Sequence, residues 1–157
     1  MNKKDIQCSS IFSKLGPEPL SKKFNFSYFD KKYKNKKKNI KNLLMDQKFV
    51  SGLGNIYVNE ILYLSKINPF KLSKSLKEDD LKNIIKFTKL TISKAVSLGG
   101  SSIRDFSDTN NQSGKYQDNF FVYGREGLKC KTSKCVSIIN RKFISNRSTF
   151  YCKICQK

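Results

Sequence analysis

The stretch Cys130-Lys131-Thr132-Ser133-Lys134-Cys135, answered by Cys152-Lys153-Ile154-Cys155, decides how the end of the chain must fold. Four residues separate the first two cysteines, two separate the second two, and sixteen lie between the pairs. Each close pair can wrap a turn around one metal ion. The interval is long enough for a β-hairpin that brings the pairs together, with Ile138-Ile139, Phe143-Ile144 and Phe150-Tyr151 as strand-forming residues. The spacing predicts a tetrahedral thiolate site for one Zn2+, with Cys130, Cys135, Cys152 and Cys155 as ligands. The chain contains no histidine, and a closed four-sulfur shell leaves no position open for catalysis, so the ion would be structural. Two disulfides or unpaired thiols are the alternatives. No apolar signal-peptide core follows Met1-Asn2-Lys3-Lys4-Asp5-Ile6, and cytosolic thiols stay reduced, which weighs against bridges. Cys8 reads as an incidental thiol.

Upstream of the cysteines the periodicity is helical. Leu15-Gly16-Pro17-Glu18-Pro19-Leu20 carries two prolines and predicts an extended connector. Phe26, Phe29 and Tyr33 share one helix face, and Ile40, Leu43 and Leu44 restart a helical period that stops near Asp46. Ser51-Gly52-Leu53-Gly54-Asn55 breaks it, and a further helix runs from about 56 to 65, closing before Asn68-Pro69. Ser75-Leu76-Lys77-Glu78 has the form of a capping box opening the longest helix. Leu81, Ile85, Thr88, Ile92 and Ala95 or Val96 mark its buried face up to Gly99-Gly100. Residues 101–118 are polar and predict a mobile loop, whereas Phe120-Phe121-Val122-Tyr123 predicts a strand leading into the cysteines.

The formal net charge is +20, from 32 Lys and Arg against 12 Asp and Glu. Stability does not require such an imbalance, and in the compact state it costs self-repulsion, so a polyanion such as nucleic acid is the indicated partner. A lysine-rich composition without function is the plainer alternative, since Arg104, Arg125, Arg141 and Arg147 are the only arginines. No run of 18 apolar residues exists, so the expectation is a soluble, cytoplasmic, monomeric protein with no membrane partner.

Two places suit phosphate. Gly52-Leu53-Gly54-Asn55 opens a helix, whose N-terminus offers unpaired N–H groups and a positive dipole end, and Asn55 adds an amide donor. The competing reading is a tight turn capped by Asn55. Lys36, Lys37 and Lys41 lie just ahead and favour binding, although a basic run is ordinarily a solvated face. Arg147 stands among Ser145, Asn146, Ser148 and Thr149, short polar side chains that could share a phosphate with its guanidinium. An exposed hairpin arginine without a partner is the alternative.

These residues also form a family pattern. Leu44-Met45-Asp46-Gln47, Gly52-Leu53-Gly54-Asn55-Ile56-Tyr57 and Glu60 resemble the helix-two-turns-helix motif of formamidopyrimidine-DNA glycosylases. Val122-Tyr123-Gly124-Arg125-Glu126-Gly127, the four cysteines and Arg147-Ser148-Thr149-Phe150-Tyr151-Cys152 through Lys157 resemble the family's zinc finger, and 15–20 is similar to its interdomain segment. The resemblance implies a mainly α fold with a small β zinc finger. Residues 1–20 would be an interdomain remnant, 21–118 a helix-two-turns-helix domain with a lesion-capping loop at about 99–118, and 119–157 the finger. It also implies base-excision repair: removal of oxidised purines such as 8-oxoguanine and formamidopyrimidines from double-stranded DNA, then cleavage at the abasic site. Asn55 and Arg147 would clamp phosphates beside the flipped-out nucleotide, Lys36, Lys37 and Lys41 would contact the backbone, and Arg104 matches a basic position in the loop. Arg147 matches a residue given a proton-donor role in δ-elimination, but a guanidinium is a poor acid, so electrostatic positioning is the easier role.

The family's nucleophile is an N-terminal proline followed by glutamate, on a β-sandwich domain that has no counterpart before Leu15. The expectation is therefore a C-terminal DNA-binding half, inactive by itself unless a separately encoded N-terminal half is supplied. The alternative is a non-catalytic, zinc-dependent damaged-DNA-binding module. An unrelated zinc ribbon of translation or transcription would explain charge and cysteines, but not Gly52 to Tyr57.

Overall fold

The computed structural model describes residues 12–100 and 115–157. Arg104, Cys8 and most of the expected loop at 99–118 lie outside the described residues. Among the described residues the architecture is mainly helical, closed by one two-stranded antiparallel hairpin. No helix among the described residues is long and apolar enough to cross a membrane.

Helix α1 (Phe26–Tyr33) starts where the Asn25 side chain accepts the Tyr28 N–H, and it buries Phe29 and Tyr33. Helix α2 (Ile40–Met45) starts the same way on Asn39, whose side chain accepts the Asn42 N–H at 2.8 Å. Helix α3 (Asn55–Leu64) and the 20-residue helix α4 (Glu78–Ser97) follow. Phe24, Phe29, Ile40, Leu43, Leu44, Val58, Ile61, Leu62, Leu81 and Ile84 form one core between them. The Phe29 ring meets Phe49 edge-on at 4.9 Å, an arrangement favoured by the ring quadrupoles.

Three details differ from the sequence expectations. Ser75 ends a 3-10 turn (Ser73–Ser75) and does not cap α4; Asp80, in the first turn, takes the Lys77 N–H at 3.0 Å instead. The buried face of α4 holds Leu81, Thr88 and Ala95 as expected, but Ile84 and Thr91 are buried where Ile85 and Ile92 were expected, these two being only partly buried, and Val96 is exposed. Residues 120–123 form no strand. The N–H groups of Phe121, Val122 and Tyr123 go to one carboxylate, Glu60, at 2.8, 2.9 and 2.8 Å, which leaves none of those three for a ladder.

The connector is stitched to the helical core. Gly16 N–H bonds Gln47 O at 2.8 Å and Ser51 N–H bonds Pro17 O at 3.1 Å. A side chain on Gly16 would run into the Phe49 carbonyl, so the close approach requires glycine.

Strands β1 (Asn140–Ile144) and β2 (Arg147–Tyr151) pair from Asn140 with Tyr151 to Ile144 with Arg147. Ser145 and Asn146 between them both have positive φ, 48° and 59°, the signature of a two-residue type I′ turn, whose twist matches that of the strands. Tyr63, Val122, Ile139 and Phe150 pack with the cysteines into a second core, so α3 serves both.

Candidate nucleic-acid interface and metal centre

Gly52, at φ +83°, makes the turn that delivers the chain to α3. Gly54 is the N-cap and has no side chain to close the first turn's N–H groups. Asn55 is therefore the first residue of the helix and not its cap, and its amide is available for another task. It reaches out of the helical domain and donates to Ser148 O in β2 at 3.1 Å. Asn59, one turn on, donates to Asn55 O at 2.7 Å and accepts the Phe150 N–H at 2.7 Å.

Lys41 converges on the same strand. Its Nζ donates to Ser148 O at 2.9 Å and to Thr149 Oγ1 at 2.7 Å. The residue is wholly buried, and two of its three donors are spent inside the protein. Burial, with the nearby Arg147 charge adding to it, lowers its pKa to about 8. Lys36 and Lys37 are exposed ahead of α2, as a phosphate contact requires.

Arg147 opens β2 and is exposed. It lines a cleft of about 490 Å3 with Lys38, Asn42, Lys48 and Ser145. Asn42 Nδ2 donates to Ser145 Oγ at 2.9 Å, joining α2 to the hairpin turn. Asp46 is the acid of this cleft; Lys38, at 2.8 Å, holds its carboxyl below the usual range and offsets its charge. Lys41 and Asn55 thus meet on the main-chain carbonyl of Ser148, the residue after Arg147 in β2.

Sequence reasoning assigned nothing to Asn59 and Tyr63 and gave Glu60 no structural task. A signal was available: polar side chains at 59 and 60 interrupt an otherwise apolar helix, and all three residues are buried. Burial pushes the Glu60 carboxyl up, while the three N–H groups that it accepts and the nearby Lys131 charge pull it back.

The four cysteine Sγ atoms lie within 4.8 Å of one another. Cys130 to Cys155 and Cys135 to Cys152 are each 3.8 Å, beyond bonding distance for a disulfide. A tetrahedron of thiolates about 2.3 Å from a central zinc has edges of about 3.8 Å, so the donor set and its spacing fit a tetrahedral metal. The Cys155 N–H points at Cys152 Sγ at 3.4 Å, and Gln156 Oε1 takes the Cys152 N–H at 2.8 Å, ordering the second knuckle. Burial pushes the Cys130 thiol up, but the hydrogen bonds from the Tyr63 hydroxyl and the Thr132 N–H outweigh it and hold it down to about 6. Burial of Cys155 pushes that thiol up.

Comparison with known proteins agrees with this geometry. Residues 15–107 match the formamidopyrimidine-DNA glycosylase H2TH domain. The formamidopyrimidine-DNA glycosylase of Rickettsia bellii (strain OSU 85-389) is 46% identical over 147 residues, 94% of this chain and 53% of that protein. Two Lactococcus lactis Fpg structures, one bound to abasic-site DNA and one, a G226P mutant, to Fapy-dG-containing DNA, each superpose with a TM-score of 0.88 at 36% identity. Each comparison covers 100% of this chain and 57% of the solved one. The chain spans about half the length of the curated relatives it matches. With its helix-two-turns-helix core, its cysteine hairpin and these relatives, the chain belongs to the formamidopyrimidine-DNA glycosylase family.

Proposed function

We propose that this chain is the DNA-gripping C-terminal half of a base-excision repair glycosylase and abasic-site lyase acting on oxidised purines in cytoplasmic, nucleoid-associated DNA. The observation that carries the reading is the joint attachment of Asn55 and Lys41 to Ser148 O, next to Arg147. Two elements distant in sequence, the N-terminus of α3 and the first residue of β2, are thereby fixed side by side. A backbone phosphate suits that corner: uncapped N–H groups with a positive dipole end on one side and a guanidinium on the other. Lys36 and Lys37 extend the positive surface along the strand, as the net charge of +20 leads one to expect. Arg104 belongs to the same proposal as a DNA contact.

Arg147 acts here by holding and neutralising phosphate, because a guanidinium stays protonated and transfers protons poorly. Cys130, Cys135, Cys152 and Cys155 hold one Zn2+, which supplies a closed structural cross-link and no reactive position. The remaining chemistry, attack on the sugar and departure of the base, belongs to the part of the relatives that this chain does not span.

Anisotropy titration of duplex DNA carrying an abasic-site analogue tests the grip. The Asn55→Ala, Arg147→Ala double variant is expected to bind at least about tenfold more weakly, with a shallower dependence on salt. Equal binding by the double variant overturns the proposal. A non-catalytic module for damaged DNA is the second reading, favoured by the confinement of every assigned contact to the grip. It predicts that preference for the abasic duplex persists when the chain is assayed alone.

A further inference from the structure

We infer that Tyr63, a residue of the helical core, is a positioning residue for the metal site: its hydroxyl donates to the Cys130 thiolate and strengthens metal retention from outside the finger. The inference rests on reading the four thiols as a zinc site. Tyr63 lies in the last turn of α3, 67 positions from Cys130 in sequence, and is 4% exposed. Its ring stacks on Phe121 at 5.4 Å with a 25° tilt, packing that a phenylalanine would provide equally well. The hydroxyl is what sets tyrosine apart there, and it has two neighbours: Cys130 Sγ at 3.1 Å and Thr132 Oγ1 at 2.7 Å.

Metal loading decides the direction of these bonds. A metal-bound thiolate has no proton and can only accept, so the Tyr63 O–H points to Sγ. The Tyr63 oxygen then accepts from the Thr132 hydroxyl. The resulting chain, Thr132 to Tyr63 to Cys130, polarises each link in the same sense. It draws electron density from a sulfur that shares a net negative charge with three others around one dication. A sulfur held in this way is a weaker base, harder to protonate off the metal, and is fixed in position by a helix that does not belong to the finger. Such partners of metal ligands are commonly worth about ten- to a hundredfold in affinity.

The arrangement also joins two functions on one element. Helix α3 presents Asn55 to β2 from its first turn and Tyr63 to the metal knuckle from its last, with Asn59 and Glu60 between them bound to finger backbone. Metal retention and the placement of Arg147 therefore share a support.

Zinc competition against a chromophoric chelator, with the full chain and its Tyr63→Phe variant, tests the inference together with the absorption spectrum of the cobalt-substituted forms. Tyr63→Phe is expected to bind zinc at least about tenfold more weakly. Its sulfur-to-cobalt charge-transfer band should move to lower energy, because a thiolate without its hydrogen bond gives up charge more readily. Thr132→Val, which removes the donor behind Tyr63, should move the band the same way by less, and it keeps the test intact if Tyr63→Phe does not fold. Unchanged zinc affinity in Tyr63→Phe overturns the inference, as does weaker binding with an unshifted band, which is mere loosening. A wild-type chain that takes up neither zinc nor cobalt overturns the metal-site reading as well.

Discussion

The side-chain amide of Asn55 donates to the main-chain carbonyl of Ser148 at 3.1 Å, so the first residue of α3 is tied to the residue next to Arg147. Asn55→Asp keeps the shape but cannot donate, and it sets a negative charge against a carbonyl and against the incoming phosphate. Its binding to abasic duplex should fall more than that of Asn55→Ala, which loses a hydrogen bond worth about 0.5–1.5 kcal/mol without adding repulsion. Anisotropy at one fixed salt concentration ranks the two. If Asp ranks above Ala, the amide is not the positioning contact.

Lys41 predicts a pH dependence. Its folded pKa is lowered to about 8 from an ordinary 10.5, by burial first and then by Arg147. Between those values the folded state holds fewer protons than the unfolded one, so this group makes stability rise with pH across that window. A phosphate beside Arg147 raises the pKa again, so binding takes up protons and affinity drops as pH passes about 8. Lys41→Met, which preserves the buried stem without charge, should flatten the fall in affinity between about pH 7.5 and about 9. Parallel pH profiles for the two proteins would disprove the linkage.

Glu60 closes three N–H groups with one carboxylate at 2.8 to 2.9 Å. Glu60→Gln keeps one acceptor oxygen and turns an NH2 toward a backbone donor. A destabilisation of about 1–3 kcal/mol follows from leaving a buried donor unpaired. Urea unfolding measures it, and a loss below a few tenths would mean that the segment finds other acceptors.

Gly16 carries a steric prediction. A methyl group there meets the Phe49 carbonyl, a backbone atom that cannot rotate away. Gly16→Ala should cost about 1–3 kcal/mol in the same urea titration, since the connector must lift off the helical core. Wild-type stability in that variant would show that the 16–17 stretch is not held against 47–51.

What was readable in the sequence was chemistry confined to neighbouring residues. Cysteine spacing, the Gly52 to Asn55 turn, and the helical periods around Phe29, Leu43 and Leu81 each act within a few positions, and they placed the elements and the metal cluster. What was not readable depends on partners far along the chain. Residues 120–123 have strand-forming side chains, but three of their N–H groups are taken by a carboxylate about 60 positions earlier. Lys41 follows a run of exposed lysines and resembled them until β2, 107 and 108 positions away, closed over it. Ser75 had the right local pattern for a cap, yet Asp80 carries that role and also pairs with Lys71 at 3.0 Å, a second contact that Ser75 could not make.

Metal removal should separate the two cores. The helical core around Leu43, Ile61 and Leu81 contains no cysteine, whereas the finger core is built on Cys130, Cys135 and Cys152 with Ile139 and Phe150. A 28-residue segment from Cys130 onward with one short hairpin buries too little apolar surface to hold together alone, and its cross-link is the metal. A strong chelator should therefore leave most of the far-ultraviolet helical signal of α1, α2 and α4 while abolishing DNA binding, because Arg147 loses the strand that presents it. Circular dichroism and anisotropy on one chelated sample make the comparison. Loss of the helical signal in step with binding would mean instead that Asn59, Glu60 and Tyr63, left without partners on α3, bring the helical core down with the finger.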